Sequence, residues 1–189
     1  MKRERLKWLI LSAIFAAITA VFSQISIQLP LIPVPFTGQT LAVGLTATIL
    51  GSRYGTLAML LYVILGAIGL PVFSGMSGGL QVLVGKTGGY IFGFIFTAYV
   101  TGLILEKTRF TFANGLIANL AGMLVTLAFG VAQLKYVLSI PWDKALEFGA
   151  YPFLLIGVIK AVIAAYVGIK VRKRLVSNRM LSAEKPVFD

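Results

Sequence analysis

The stretch WLILSAIFAAITAVFS, residues 8–23, follows directly on the basic segment KRERLK of residues 2–7, and the class of fold turns on how it is read. It carries no charge, and with Leu6 and Lys7 it gives a run over 6–23. That length suits a bilayer crossing, since about 20 apolar residues match a hydrocarbon core about 30 Å thick. A basic segment before an apolar run also opens secretory signal peptides. Further apolar runs downstream favour a retained first span instead.

Those runs cover residues 37–50, 54–70, 86–105, 112–138 and 148–171, and a basic tail occupies 172–189. Six spans need about 120 residues. The chain has 189, of which 58% are hydrophobic and only 12% charged, with a mean hydropathy of +0.93. Soluble domains carry about 25% charged residues, so most of this surface faces something other than water. The expected fold is an all-α integral membrane protein with six transmembrane helices in a single membrane domain, surrounded by lipid. Too little hydrophilic chain remains for a separate soluble domain.

The connections differ in character. Residues 24–36 hold Pro30, Pro33 and Pro35 and no charge, a composition that favours extended backbone. Gly51, Ser52 and Arg53 read as a short basic turn. Residues 71–89 are rich in glycine, and residues 141–147 form the one loop with two acids, Asp143 and Glu147.

The net charge of +11 is distributed in blocks between apolar runs rather than along one soluble face, which speaks for topology and against nucleic acid. With the chain ends on one side, thirteen Lys and Arg residues gather there, against four (Lys86, Lys135, Lys144 and Lys160) elsewhere. The positive-inside rule then puts both termini in the cytoplasm of a multi-pass protein of the cell membrane, with the proline-rich, glycine-rich and acidic loops outside.

Histidine and cysteine are both absent, which removes Ser-His-Asp and Cys-His catalysis, disulfides and the common zinc sites. No two of the six acids share an apolar run, so an intramembrane acid pair is not expected. The inventory argues against an enzyme and against a resident metal or cofactor. Gly85, Lys86 and Thr87 look like the end of a Walker A loop, but Leu80 stands where that motif needs its first glycine. Any ATP-driven work therefore falls to a partner.

Lys160 is the one charge well inside an apolar run. A lysine at a helix centre costs about 2.5–3.5 kcal/mol even on the lower insertion scales. It either snorkels to an interface or faces the interior and pairs with an anion, and no acid of the chain is placed at its depth. Gln39, Asn119 and Gln133 are neutral amides in apolar surroundings, able to tie helices together or to meet a ligand. The glycines of 75–89 permit close approach of a ligand to backbone amides, or else pack helices through Gly85, Gly89 and Gly93. Ala13 with Ala17, and Ala16 with Ala20, place small residues four apart on the first span, where another helix can come close.

PVPFTGQTLAV at 33–43, GLPVFSGMSGG at 69–79 and LVGKTGGY at 83–90 resemble the signatures of the BioY family, the biotin-specific S-components of energy-coupling-factor transporters. The resemblance is close over about residues 28–100. It implies a six-helix, S-component-like bundle that binds biotin from outside under a lid formed by the first loop. It also implies docking through the small-residue face of helix 1, where Ala13 and Ala17 match the family's Ala-xxx-Ala motif, onto a transmembrane coupling protein driven by two ATPases. Candidate ligand contacts are Thr37, Gln39, Gly78, Gly79, Tyr90, Asn119, Gln133 and Lys160. Two positions depart from the family pattern. Gly157 stands where its Asp-x-x-Lys motif has the acid, and Lys86 stands where it usually has proline. The alternatives are an S-component for another anionic vitamin and a membrane scaffold protein with no small ligand.

Overall fold

The computed structural model describes residues 2–178 and 180–181. Of the expected tail, residues 172–177 continue the last helix, whereas residues 179 and 182–189 lie outside the described residues.

Helix α1, Lys2–Ser23, is followed by a small antiparallel hairpin of β1, Ser26–Ile27, and β2, Phe36–Thr37, within the proline-rich connection. Helix α2 runs over Gln39–Ala67, short α3 over Leu80–Leu83, α4 over Gly88–Lys107 and α5 over Phe112–Leu138. Helix α6, Trp142–Gly149, leads into α7, Tyr151–Ser177.

Among the described residues, five stretches are long and apolar enough to cross a membrane, and one of them is double. Unbroken, α2 would be about 44 Å long at 1.5 Å per residue, well beyond a core of about 30 Å. It breaks at Gly51, whose φ of 79° and ψ of −172° lie outside the helical region and favour glycine. The turn expected over Gly51, Ser52 and Arg53 is thus a single residue, and six spanning segments result.

The break frees backbone groups that other helices satisfy. Glu106 of α4 accepts hydrogen bonds from the Ser52 amide at 2.7 Å and the Ser52 hydroxyl at 2.6 Å. Arg172 of α7 donates to the carbonyl of Ile49, and its guanidinium lies 3.8 Å from the centre of the Phe110 ring. Carboxylate and guanidinium thereby cap the two arms of α2, each at the end where its charge suits the helix dipole.

Helix α4 packs between α2 and α5, α1 lies on α2, and α7 closes the bundle against α2 and α5. Tyr62, Phe73, Phe94, Leu50 and Met59 fill the interior, while Ile68, Ile117, Leu124 and Leu155 form part of an apolar outer surface suited to lipid. The acidic loop expected at 141–147 is a correction: all but its first residue are helical. Pro141 sits at the N-cap of α6, Asp143 lies in the first turn where the dipole favours an acid, and Lys144 pairs with Glu147 at 2.7 Å.

Candidate ligand-binding site

At the end of the bundle away from Gly51, two connections form one roof. Gln24 donates to the carbonyl of Phe73 at 3.1 Å and accepts from the amide of Met76 at 2.9 Å. Ser74 and Ser26 are hydroxyl partners at 2.7 Å, and Ser23 donates to Val72 at 2.7 Å. The proline-rich strap and the loop after α2 are therefore fastened to each other.

Beneath them is a cavity of about 490 Å³ whose walls include Phe94, Phe153, Met123 and Tyr90. The strap is seated on it by a stack of Phe36 on Phe153, with ring centres 4.6 Å apart. Small-molecule sites are typically clefts of about 300–1,000 Å³, mostly apolar with a few placed polar groups. This one has that character: among the described residues its titratable side chains are Lys160, Lys86 and Tyr90, and no acid lines it.

Lys160 points inward. Its amine donates to the Thr37 carbonyl at 2.6 Å and to the Thr40 hydroxyl at 3.0 Å, which leaves one of its three donors for a further acceptor. Neutral oxygens satisfy its hydrogen bonds without balancing its charge. Asn119 gives both amide hydrogens to protein, to the Thr48 hydroxyl at 2.9 Å and the Gly115 carbonyl at 2.8 Å. Among the described residues no donor reaches its Oδ1, which lies against Gly44 on the cavity wall.

The other sequence candidates divide. Thr37 and Gln39 line the cavity but spend their polar groups on one another: Thr37 donates to Gln39 at 2.8 Å, Gln39 to Tyr62 at 2.6 Å, and Tyr62 to Val72 at 3.1 Å. The Tyr90 ring lines the cavity while its hydroxyl donates to Gly149 at 2.8 Å. Gly78, Gly79 and Gln133 do not line it. Gly79 has φ of 93° and its amide bonds Gly66, so its glycine character serves the turn before α3. Gly78 packs on the carbonyl of Leu70. Gln133 donates to the carbonyls of Leu83 and Gly85 at 2.8 and 2.7 Å, pinning the approach to α4 from behind. On α1, Ala13 and Ala17 stand on the exposed face beside Ile10 and Ile14, whereas Ala16 is buried.

A family model for the BioY family matches residues 1–177. The chain belongs to the BioY family. It is 48% identical over 169 residues to the "Biotin transporter BioY" of Thermotoga maritima, covering 89% of this chain and 97% of that one. It is 38% identical over 175 residues to "Biotin transporter BioY2" of Lactococcus lactis subsp. cremoris, covering 93% and 95%. Among solved structures it resembles the S-component for biotin from an ECF-type ABC transporter, with a TM-score of 0.84, 27% identity, and coverage of 92% of this chain and 94% of that one. The BioY relatives are named as transporters, and this BioY chain is accordingly a multi-pass membrane protein.

Within the BioY frame the two departures take physical form. At Gly157, the sequence position where the resembled motif has its acid, a side chain would run into the thioether of Met123 from α5. Lys86, at the family's proline position, lines the cavity as its second cation. Residues that sequence reasoning missed include Thr40, Met123, Phe94 and Phe153. Each sits in an ordinary apolar helical pattern, and only the fold turns it toward the cavity. Lys86 belongs to a failed nucleotide motif in sequence, although an unexplained charge at a family proline is a usable signal.

Proposed function

We propose that this chain is the high-affinity, membrane-embedded substrate-capture subunit of an ATP-driven energy-coupling-factor importer, and that its ligand is biotin. The observation that carries the reading is a roofed, largely apolar cavity whose charged groups are both lysines. Biotin is an apolar bicycle with a ureido group at one end and a carboxylate at the other. In this reading the ring packs among Phe94, Tyr90 and Phe153, and the ureido N–H groups face Asn119 Oδ1. Lys160 and Lys86 hold the carboxylate. Burying that charge beside an ammonium neutralises both in a low-dielectric setting.

The chain captures ligand without catalysing a reaction, binding a nucleotide or carrying a cofactor. Both termini face the cytoplasm of the bacterial cell, and the roof faces outward. Power comes from a transmembrane coupling protein and two ATPases, which dock on the face of α1 that exposes Ala13 and Ala17. That face supports the assignment because small side chains among apolar neighbours let a partner helix approach closely in lipid.

Equilibrium binding of radiolabelled biotin to the purified full chain tests the proposal. The expected dissociation constant is well below about 1 μM, equivalent to more than about 8 kcal/mol of binding free energy. Weaker binding, together with tight binding of a different anionic vitamin, replaces biotin as the ligand. No binding of either kind overturns the capture role.

A further inference from the structure

A second, smaller cleft of about 240 Å³ lies at the opposite end of the bundle, between α1 and the second arm of α2. Its walls carry Arg5, Leu9, Arg53, Thr56, Leu57 and Leu60, with Tyr54 behind. The order of these residues along their helices gives the cleft a polarity. Arg5 lies one turn before Leu9 on α1, and Arg53 lies one turn before Thr56 and Leu57 and two before Leu60 on α2. Stacking of Trp8 on Tyr54, with ring centres 4.8 Å apart, and the hydrogen bond from Ser12 to the Tyr54 carbonyl at 3.0 Å keep these two helical segments in register. Two guanidinium groups therefore sit at the rim, and the walls become apolar toward the membrane.

Neither arginine has an acidic partner among the described residues; Arg53 lies over the ring of its own neighbour Tyr54, with its Cζ 5.7 Å from the ring centre. Thr56 supplies an independent signal. Thr56 lines this cleft, and its Oγ1 is the one buried side-chain polar atom without a hydrogen-bond partner among the described residues. An unpaired buried hydroxyl costs free energy unless something completes it.

We infer that this cleft is a binding site for the phosphate of an anionic phospholipid, its acyl chain running along Leu9, Leu57 and Leu60. Guanidinium groups bind phosphate oxygens through paired charge-assisted hydrogen bonds. Basic clefts between spanning helices, at the level of the headgroups, select anionic lipid in the same way. A charged rim above an apolar wall matches an amphiphile, where a free inorganic anion would leave the leucines without a partner. The bilayer supplies the occupant at high local concentration. The inference stands apart from the biotin reading, because the cleft shares no residue with the ligand cavity.

The test measures thermal unfolding and lipid retention of the full chain in a neutral detergent, with added dioleoyl phosphatidylglycerol, dioleoyl phosphatidylcholine or inorganic phosphate. Phosphatidylglycerol is expected to raise the melting midpoint, while the other two leave it unchanged. The double variant Arg5→Gln, Arg53→Gln is expected to lose that shift. The pair Lys173→Gln, Arg174→Gln removes the same charge from the exposed end of α7 and is expected to keep it. Should the double variant fail to elute as a folded monomer, Thr56→Val provides the reading, since it removes the unpaired hydroxyl without changing shape. It is expected to weaken phosphatidylglycerol retention about tenfold, the value of one hydrogen bond to a charged group. The inference is overturned by an equal response to phosphatidylcholine, by an equal effect of inorganic phosphate alone, or by equal loss in the Lys173 and Arg174 pair. It is also overturned if both the arginine variant and Thr56→Val retain the full shift.

Discussion

The amine of Lys160 on α7 donates to the backbone carbonyl of Thr37 at 2.6 Å, so the cation proposed to meet the ligand's charge also fastens the strap that covers it. The Thr40 hydroxyl, at 3.0 Å on the first turn of α2, completes the fastening. Under the proposed function, ligand and roof share one ammonium group, which couples binding to closure.

Lys160→Ala is expected to cost about 3–5 kcal/mol of biotin affinity, the range for removing one member of a buried ion pair. That corresponds to a loss of more than a hundredfold. Helical content and elution volume should stay unchanged. Normal biotin affinity in this variant would falsify the role given to the lysine.

Thr40→Val removes one of the two neutral acceptors and leaves the charge in place. A hydrogen bond to an ionised group is worth about 1.5–3 kcal/mol, so affinity should fall by about tenfold or more but less than in Lys160→Ala. If the two variants lose the same affinity, the fastening alone accounts for the lysine, and the charge pairing is wrong.

Gly157→Leu puts a branched side chain into the space now shared with Met123. The expected outcome is loss of biotin binding by a chain that still folds, because the intrusion displaces the flexible end of Met123 on the cavity wall rather than backbone. Circular dichroism and binding, measured on the same sample, separate the two. Undiminished binding would place the ligand somewhere else.

Glu106→Ala should act on stability and leave affinity largely intact. It strips the Ser52 amide and hydroxyl of their acceptor at the break in α2, and buried donors left unpaired cost about 1–3 kcal/mol each. Thermal unfolding in detergent should show a lower midpoint, with Glu106→Gln falling between this variant and the native chain because it retains one acceptor oxygen.

Ala13→Leu and Ala17→Leu enlarge the exposed face of α1 and should abolish biotin uptake by cells while purified protein binds normally. Ala16, one position before Ala17, is buried, and leucine there should overpack the interior at a cost of about 1–3 kcal/mol. A pattern in which all three variants lose binding, or in which Ala13→Leu and Ala17→Leu still support uptake, removes α1 as the docking face.

The spans were legible from local composition alone. A run such as residues 112–138 must bury its backbone polar groups in a helix once it is in lipid, whatever its neighbours do, and α5 covers that same range. The inward bias of Lys160 was legible for a related reason: a charge in the middle of an apolar run has few tolerable surroundings. That the strap is not helical also followed from its prolines, whereas its return on itself as a hairpin did not. Which face each helix presents is another matter, because a helix in water is oriented by the contrast between its apolar and polar sides, and that contrast fades when lipid and core are equally apolar. Met123, Phe94 and Phe153 therefore carried no local sign of lining a cavity. Gln133 looked like Asn119 in sequence, yet one pins a loop from outside and the other presents an open oxygen to the cavity. Glu106 and Arg172 read as ordinary residues at the ends of spans, and only the approach of α4 and α7 to Gly51 reveals them as the caps of a broken helix. Local composition thus settles the membrane class, the spanning segments and the inward bias of Lys160, which depend on the cost of placing each group in hydrocarbon. The tertiary structure alone decided which polar groups are spent on the protein and which stay open to a ligand, because that depends on partners brought together from distant parts of the chain.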